Sequence, residues 1–517
     1  MSITPTQEKS SSSEKIKTPR RSSKSLPAEP SDQAVTAADH TGVSAEDFPK
    51  PIIQLPCTEL ANADRLVHLF GDQIRYCYTW KKWMVWTGTH WQPDKNGTIN
   101  RLAEKTVRSI LIEAARDADP AAKSKWFFSS ASAKAIRGML ESAQSKRSMV
   151  ADDLDTHPFF LNVQNGTIDL QTGELLPHNP EHYLSRCLPI HFDPEAECLQ
   201  WKDFLMSIMG GNENLVQYLQ RAIGYSLTGN VREQVMFILH GNGANGKSTF
   251  LNTIQSLLGE YALQMDSETI TSRQQTKIAN DIARLRGARF VATSETGEGR
   301  RLDENKVKQM TGDDVLVGEF KFQEQFEFRP THKIWLATNH LPRVKGTDHA
   351  IWRRLPLIPF SQTFWNPEKG ESGPDELRMD KTLSEKLQSE AVGILTWAIT
   401  GCLNWKNQGL GWPAEVMQAT DAYRSTQDTL QVFLDEECFF GEKAQVKMST
   451  LYGAYTAWAS ESGERPMSKK ELGQRLEERG FRPERGSGNA PIRRGIGILA
   501  PQASGANYNL GFPSEDD

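Results

Sequence analysis

The chain has 517 residues, a length that predicts roughly two to four domains. Its net charge of −5 excludes nucleic-acid binding through overall charge, so such binding would need local basic surfaces. The six cysteines lack C-x-x-C spacing, which argues against a zinc site and indicates a reducing compartment. No apolar run is long enough to span a membrane and the N-terminus is too polar for a signal peptide, so we expect a cytoplasmic protein without membrane contacts.

The N-terminal part of the chain divides into a polar tail and a small ordered region. Residues 1–55 are rich in Ser, Thr, Pro, Lys and Glu and predict a disordered tail, whose basic stretch 15–24 is either solvated or a weak DNA tether. Residues 56–150 predict a small α+β region, with short strands where aromatic and polar residues alternate (74–91) and helices over 100–144. The tryptophans of these strands either pack a β core or stack on bases.

A further domain is predicted over residues 151–228. Its first part, 157–178, contains Asn-Gly and Thr-Gly pairs, which are typical of tight turns between short strands. A helical stretch from 199 to about 227 follows and leads into the next domain.

The clearest motif of the chain follows the apolar run Val235–Leu239. Gly241, Gly246, Lys247 and Ser248 complete the pattern G-x-x-x-x-G-K-S, and a helical pattern comes directly after it. Strand, glycine loop and helix in this order favour phosphate binding, because backbone N–H groups and the helix N-terminus surround the anion. Lysine can then reach the β- and γ-phosphates and serine can bind Mg²⁺, whereas a simple glycine-rich turn would need neither residue. The predicted nucleotide-binding residues are Gly241, Asn242, Gly243, Ala244, Asn245, Gly246, Lys247, Ser248 and Thr249.

Two later strands end in polar residues that an ATPase could use. The strand 289–295 ends at Glu295, which would polarise the attacking water or act through Mg²⁺, or else is a surface glutamate. The strand 333–339 ends at Asn339, whose amide suits the orientation of water against a γ-phosphate. Strands that alternate with helices after a phosphate-binding loop predict a three-layer α/β nucleotide domain.

Arg353 and Arg354 precede a further apolar strand that ends at Phe360. Arginines in this position can face the nucleotide of a neighbouring subunit as an arginine finger, which stabilises charge on the transferring phosphoryl group. The alternative is a solvated or structural pair.

The segment Val315–Phe328 alternates apolar and polar residues and predicts a β-hairpin. Lys321 and Phe322 would lie near its tip, where a cation beside an aromatic ring suits single-stranded DNA. Ordinary packing of the hairpin is an equally good explanation.

The C-terminal part is predicted to contain a helical region, 376–427, and a basic unit, 428–500, before a tail, 501–517. In the basic unit a capping box at Ser468 opens a helix that runs to Gly480, and the last apolar segment predicts a β wing.

In their order, these motifs resemble the superfamily 3 helicases, in particular the phage and plasmid primase–helicases related to the poxvirus primase–helicase. The segment 157–175 looks like the domain that precedes the helicase in that family. The other matching segments are GNGANGKST (241–249), the strand ending at Glu295, the K-x-x-T-G-x-D pattern (308–314), ATNHLP (337–342) and WRRLPLIPF (352–360).

The resemblance implies an AAA+-like ATPase core over 229–375 and a C-terminal winged-helix-like DNA-binding domain. It also implies a hexameric ring that uses ATP and Mg²⁺ to unwind duplex DNA in the 3′ to 5′ direction, at the replication origin or fork of a phage, prophage or plasmid. The partners would be single- and double-stranded DNA, with a primase or polymerase in trans, in the cytoplasm of a bacterial host.

The roles implied by position follow the motifs. Ser248 and Glu295 would hold Mg²⁺ beside the phosphates bound by Lys247, with Glu295 as the Walker B acid. The remaining implied roles are Asn339 as the sensor, Arg353 or Arg354 as the finger, and Lys321 of the hairpin as a DNA contact.

Two features depart from the family pattern. Ser294 stands where many P-loop ATPases carry a second acid before Glu295, so the division between Mg²⁺ binding and water activation stays open. Larger members carry an N-terminal primase domain, for which the segment before residue 60 is too short, so the sequence predicts a helicase without primase activity.

Two other functions compete with a helicase. An origin-binding or helicase-loading protein would use ATP as a switch and would bind duplex DNA without unwinding it. A small-molecule kinase is disfavoured, because nothing in the sequence resembles an acceptor site.

Overall fold

A computed structural model of the chain describes residues 44–271, 278–294, 300–320, 324–345, 349–462, 466–486 and 489–499. They form two compact units. The first contains the described residues up to Gly71 together with Asn100–Lys146, and the second contains Asp72–Ile99 together with the described residues from Arg147 onward.

The helices and strands of the described residues are numbered in chain order. The helices are α1 (Glu59–Phe70), α2 (Thr98–Ala114), α3 (Pro120–Ser130), α4 (Ala133–Gln144), α5 (Leu199–Ile208), α6 (Glu213–Leu227), α7 (Lys247–Leu258), α8 (Ile278–Arg284), α9 (Glu304–Thr311), α10 (His349–Trp352), α11 (Leu383–Ser389), α12 (Ala391–Gln408), α13 (Ala414–Gln427), α14 (Thr429–Glu437), α15 (Met448–Glu461) and α16 (Lys469–Glu478). The strands are β1 (Ile74–Cys77), β2 (Lys82–Trp86), β3 (Trp91–Pro93), β4 (Ser148–Met149), β5 (Phe160–Val163), β6 (Gly166–Asp169), β7 (Glu174–Leu176), β8 (Met236–His240), β9 (Ala262–Gln264), β10 (Phe290–Ser294), β11 (Leu316–Glu319), β12 (Gln325–Phe328), β13 (Lys333–Thr338), β14 (Leu357–Pro359), β15 (Cys438–Lys447), β16 (Pro483–Arg485) and β17 (Pro491–Ile498). None of the described helices has the length and apolarity needed to cross a membrane.

The first unit is held together by a buried ionic cluster. The Glu113 carboxylate accepts hydrogen bonds from Arg65 (Nε to Oε1, 2.5 Å) and from Lys123 (Nζ to Oε2, 2.8 Å), and all three side chains are buried. Both cations also donate to the carbonyl oxygen of Leu55, so the cluster fastens the entering chain to α1, α2 and α3. Loss of Glu113 would leave two buried cations without their anion, which typically costs about 3–5 kcal/mol.

The second unit is built around a five-stranded parallel sheet in the order β14-β8-β13-β10-β9. Successive side chains of a strand face opposite sides of the sheet, and here both sides are apolar. Phe237 and Trp335 stack 4.2 Å apart on one side, within one core cluster, whereas Met236 and Ile334 belong to a second cluster on the other side. The two buried faces confirm the mixed α/β architecture with a parallel sheet that the sequence predicted.

Parallel strands bring their carboxyl ends to one edge of the sheet. In the register of this sheet, His240 at the end of β8 pairs with Thr338 at the end of β13, and Ser294 at the end of β10 pairs with Ala337. The chain segments that follow these strands therefore leave the sheet side by side, which is where open α/β sheets bind ligands.

Outside the large sheet, the predicted hairpin is present as β11 and β12, which pair antiparallel with Leu316 opposite Phe328. Lys321 and Phe322 lie outside the described residues.

The C-terminal part contains α14, α15 and α16 packed on a three-stranded sheet of order β15-β17-β16. The Ser468 hydroxyl accepts a hydrogen bond from the Glu471 N–H (3.2 Å), so α16 begins at the predicted N-cap. The predicted closing strand is β17.

Candidate nucleotide-binding site

The loop between β8 and α7 has a backbone that depends on its glycines. Gly243 (φ +103°) and Gly246 (φ +82°) adopt the left-handed region, and Gly246 directly precedes α7. A Cβ atom at Gly241 would lie 2.3 Å from the Phe360 carbonyl oxygen, so this position has no room for a side chain. The loop thus passes close to the backbone that follows β14 and leads into the helix with its N–H groups available, as a phosphate cradle requires.

Lys247 is the first residue of α7, and only 6% of its surface is exposed. Its ammonium group donates to the carbonyl oxygen of Gly241 (2.7 Å), to Oδ1 of Asn245 (3.0 Å) and to Oδ1 of Asn339 (2.9 Å). Burial lowers the pKa of Lys247 below its ordinary value. These three acceptors are neutral, so they satisfy the hydrogen bonds while the charge remains available to an anion.

Asn339 follows β13 and is half-buried. Its contact with Lys247 joins two predicted site residues that are 92 positions apart in the sequence. The contact arises because β8 and β13 are neighbours in the sheet and end at the same edge.

His240 was not predicted to belong to the site. It is the last residue of β8, next to Gly241, and it is half-buried. Burial lowers its pKa, and the charge of Lys247 lowers it further. The only signal in the sequence was its position between the apolar strand and the first glycine.

A cavity of about 650 Å³ opens over the glycine loop. Residues 243–249 line one wall together with Ser294 and Asn339, and Ser248 is exposed there. The rest of the lining comes from α5, from α11 and from the segment 364–381, which the sequence did not predict to belong to the site.

Glu295 lies outside the described residues, although its neighbour Ser294 lines the cavity. Among the residues that the structure describes, no group of three or more His, Cys, Asp or Glu side chains could hold a metal ion.

The structure does not bring Arg353 and Arg354 to the glycine loop of the same chain. The carbonyl oxygen of Arg354 accepts a hydrogen bond from the N–H of Met236 (2.7 Å), at the beginning of β8, whereas the loop follows the end of β8. Arg354 is largely buried and donates to the carbonyl oxygen of Ala350 (3.0 Å). Arg353 is exposed and donates to Oε1 of Gln234 (2.7 Å).

Two parts of the chain match known protein families. Residues 63–210 match the family described as "D5 N terminal like", and residues 239–354 match a family of unknown function, DUF5906. The second match begins two residues before Gly241, the first residue of the glycine loop, and includes Asn339 and both arginines.

Several viral proteins are similar to this chain. A protein of Acanthamoeba polyphaga mimivirus named "Putative helicase" is 26% identical over 296 residues, which are 55% of this chain and 31% of that protein. A protein of Frog virus 3 with the same designation is 26% identical over 278 residues, 51% of this chain and 28% of that protein. A protein of African swine fever virus named "Putative primase" is 26% identical over 337 residues, 59% of this chain and 34% of that protein.

The chain spans about a third of the length of these curated relatives. Among solved structures, the apo A form of the NrS-1 C-terminal region has a TM-score of 0.49 at 9% identity, and the match covers 84% of this chain and 99% of that one. The similarity to viral proteins named as helicases and primases, together with the D5-type match, supports the primase–helicase family.

Proposed function

We propose that this chain is the motor of an ATP-dependent DNA helicase of superfamily 3 that acts in replication. The observation that carries the proposal is the meeting of Lys247 and Asn339 in a cavity at the carboxyl edge of a parallel sheet. A glycine loop, a lysine and a polar amide at the end of the neighbouring strand are what ATP hydrolysis needs for phosphate binding and for water orientation.

In this proposal Lys247 exchanges its neutral partners for phosphate oxygens. The backbone N–H groups of residues 243–249 bind the phosphates, and the ammonium group moves from the oxygens of Gly241 and Asn339 to the β- and γ-phosphates. The amide of Asn339, once released, orients the water that attacks the γ-phosphate. The backbone N–H groups of the loop need little reorganisation for this step, because the loop and the start of α7 are formed before ATP arrives.

The exposed hydroxyl of Ser248 fits a Mg²⁺ ligand, since it lies in the cavity directly after Lys247. Glu295, which follows the cavity-lining Ser294, would supply a carboxylate. Bound between these side chains and the phosphates, Mg²⁺ would neutralise charge on the β- and γ-oxygens.

The position of Arg353 supports hydrolysis in an oligomer. It is exposed at the opposite end of the sheet from Lys247, so in this proposal its guanidinium group acts at the site of another subunit rather than at that of its own chain. In a ring, most simply a hexamer, Arg353 would contact the γ-phosphate held by the neighbouring subunit. Arg354, which is buried against backbone oxygen, would have a structural role.

DNA would be bound in two places. The β11–β12 hairpin would carry Lys321 and Phe322 to the single strand in the channel of the ring. The C-terminal part, whose α14–β15–α15–α16–β16–β17 order suits a winged-helix-like domain, exposes Lys469, Lys470 and Gln474 on α16 and would bind duplex DNA.

An unwinding assay on duplexes with a 3′ or a 5′ single-stranded tail tests the proposal. We expect ATP-dependent displacement from one tail, the 3′-to-5′ direction being the family habit, and no displacement by Lys247→Ala. Lys134→Ala, a change of an exposed lysine on α4, is the matched control and should unwind as the parent does. Equal unwinding by Lys247→Ala and the parent would refute the proposal.

The basic face of α16 keeps a second function open, an ATP-switched origin-binding or helicase-loading protein. That protein would bind a specific duplex sequence and would displace no strand from either tail. The sequence predicts that this chain has no primase activity of its own, and a primer-synthesis assay of the chain alone tests that prediction.

A further inference from the structure

We propose that the turn between β1 and β2 is a contact site for single-stranded DNA, formed by the exposed rings of Tyr78 and Trp80. Lys81 and Lys82 supply its positive charge. The proposed function places the single strand at the β11–β12 hairpin, so this turn is a second contact, in the N-terminal part of the chain. That the nucleic acid is DNA rests on the proposed function, whereas the binding of a nucleic acid by the turn does not.

The two aromatic side chains of the turn are in contact with solvent. Tyr78 is 47% exposed and Trp80 is 37% exposed, whereas Trp91 of β3 is buried in the core of the same sheet. The aromatic residues of this region thus serve both of the uses that the sequence left open, since Trp91 packs a β core and the rings of the turn remain accessible. Every base has a flat face that stacks on such a ring, so the contact needs no particular DNA sequence.

Lys81 has a backbone conformation that favours glycine. Its φ of +52° lies in the left-handed region, which is unfavourable for a residue with a Cβ atom. Its N–H donates to the carbonyl oxygen of Tyr78 (3.3 Å) and closes the turn, while its side chain is exposed. Glycine would form this turn with less strain, so the fold does not explain a lysine here. Strained residues concentrate at functional sites, and the charge of Lys81 is what glycine would lack.

The positive charge of the turn is not balanced by acids of the same segment. Lys81 and Lys82 are both exposed, and residues 74–93 contain no Asp or Glu. The next acid along the chain is Asp94, whose carboxylate accepts hydrogen bonds from two backbone N–H groups at the beginning of α2 (3.0 and 2.9 Å). It is followed by Lys95, which is exposed as well. Cations beside accessible rings fit a strand that carries both phosphates and bases.

The turn is fixed by the strand next to it. The N–H of Tyr78 donates to the carbonyl oxygen of Met149 in β4 (3.2 Å), and the Thr79 hydroxyl accepts a hydrogen bond from the N–H of Ala151 (3.2 Å). The rings of Tyr76 and Tyr78 meet edge to face, with their centres 5.0 Å apart. A platform that is already ordered loses little conformational freedom when a ligand binds, which favours affinity.

Photocrosslinking locates the site. The probe is an oligothymidylate of about eight nucleotides that carries one iodouracil base, mixed with the parent chain without ATP at a stated salt concentration. We expect the crosslinked peptide to include residues 76–83, because a base stacked on Tyr78 or Trp80 lies next to the ring. Crosslinks confined to other peptides would overturn the proposal.

The affinity for the same oligonucleotide, measured by fluorescence anisotropy, tests the two kinds of contact. Trp80→Ala should weaken binding about fivefold or more, the effect of one stacked base, and Trp80→Phe should retain most of the affinity. Lys81→Gly should reduce the slope of log affinity against log salt by about 0.7, as the loss of one phosphate contact does. Because glycine adopts this backbone readily, Lys81→Gly should be at least as stable as the parent in urea unfolding, so misfolding does not account for its weaker binding.

Phe128→Ala on α3 and Lys134→Ala on α4 are the matched controls, since Phe128 is 75% exposed and Lys134 is exposed, and both lie outside the turn. We expect both to bind the oligonucleotide as the parent does. Parent-like binding by Trp80→Ala and by Lys81→Gly would refute the site and leave the proposed function intact. If the turn is crosslinked but the parent displaces no strand in the unwinding assay, the site stands and the proposed function fails. A uridine RNA of the same length that binds more tightly than the DNA would overturn the assignment to DNA.

Discussion

The two ends of the five-stranded sheet use buried lysines for different purposes. At the carboxyl end, Lys247 lines a cavity, and one of its acceptors is the side chain of Asn339. At the amino end, Lys333 is 1% exposed and donates to the carbonyl oxygens of Thr228, Asn230 and Thr331. Burial lowers the pKa of both lysines, so a perturbed lysine is not by itself a sign of function. Lys247 differs in that it lines a cavity and has side-chain acceptors, whereas the acceptors of Lys333 are backbone oxygens.

Arg289 extends the contrast at the amino end. It is buried and donates to the carbonyl oxygens of Leu227 (2.6 Å) and Phe160 (2.5 Å), while its guanidinium group lies 4.8 Å from the ring centre of Tyr261. These contacts fasten α6 and β5 to the large sheet. Lys333 and Arg289 therefore connect elements of the fold through backbone oxygens, whereas Lys247 lines a cavity.

The largest effects are expected when each of the two lysines is changed to methionine. Lys247→Met should lower ATP hydrolysis by roughly 10³-fold or more, because the phosphates lose their main positive charge, and should leave stability unchanged or higher. Lys333→Met should leave buried carbonyl oxygens without a donor and cost about 2–4 kcal/mol, while activity per folded molecule is retained. Steady-state hydrolysis and urea unfolding measure the two effects. A Lys333→Met variant that is stable but inactive would contradict the structural role of Lys333.

The paired arginines at the amino end give a second test. Arg353→Ala should lower hydrolysis by assembled protein about 10³-fold, and its addition to the parent should depress activity more than in proportion, because each altered subunit disables a neighbour's site. Arg354→Ala should instead lower the free energy of unfolding by about 1–3 kcal/mol, since its contact with Ala350 is lost. If the activity of the mixture falls only in proportion to the fraction of Arg353→Ala subunits, Arg353 is not the arginine finger.

A third test concerns Asn339, the residue after β13 whose side chain accepts a hydrogen bond from Lys247. Asn339→Ala should lower the hydrolysis rate about 10²-fold and leave ATP affinity close to that of the parent, because the amide acts on water rather than on binding. Asn407→Ala, a change of an exposed asparagine on α12, is the matched control. Single-turnover hydrolysis and ATP titration separate rate from affinity. A loss of affinity without a loss of rate would assign Asn339 to binding.

The sequence was informative where structure is local or follows from strand direction. The strand–loop–helix of β8 and α7, the strands β10 and β13 and the β11–β12 hairpin all follow from short-range patterns of apolar residues and glycines. The meeting of Lys247 and Asn339 was also predictable, because neighbouring parallel strands end at one edge.

Other parts of the site carried no readable pattern. Phe364 and Met379 belong to an irregular segment without periodicity, so only the folded chain brings them to the cavity. The different burial of Arg353 and Arg354 depends on the register of β14 against β8, which adjacent positions in a sequence do not give. The roles predicted for Glu295, Lys321 and Phe322 stay predictions, since these residues lie outside the described ranges.

The smallest effect concerns His332, the neighbour of Lys333 at the amino end. His332 is 2% exposed, and neither ring nitrogen has a hydrogen-bond partner among the described residues. Burial, together with the charge of Lys333, lowers its pKa to about 3. The imidazole is therefore neutral in the folded chain, whereas in the unfolded chain it takes up a proton below its ordinary pKa of about 6.5.

As the pH falls from about 6.5 towards 3, the unfolded state binds this proton and the folded state does not, so stability is lost by up to about 1.4 kcal/mol per pH unit. His332→Leu should remove this loss, and its advantage over the parent should grow by about 2 kcal/mol between pH 7 and pH 5. Urea unfolding at each pH measures it, with His191→Leu, at an exposed position, as the control. An advantage that does not change with pH would mean that His332 is reached by water, and that the amino end of the sheet is less closed than its fixed cations indicate.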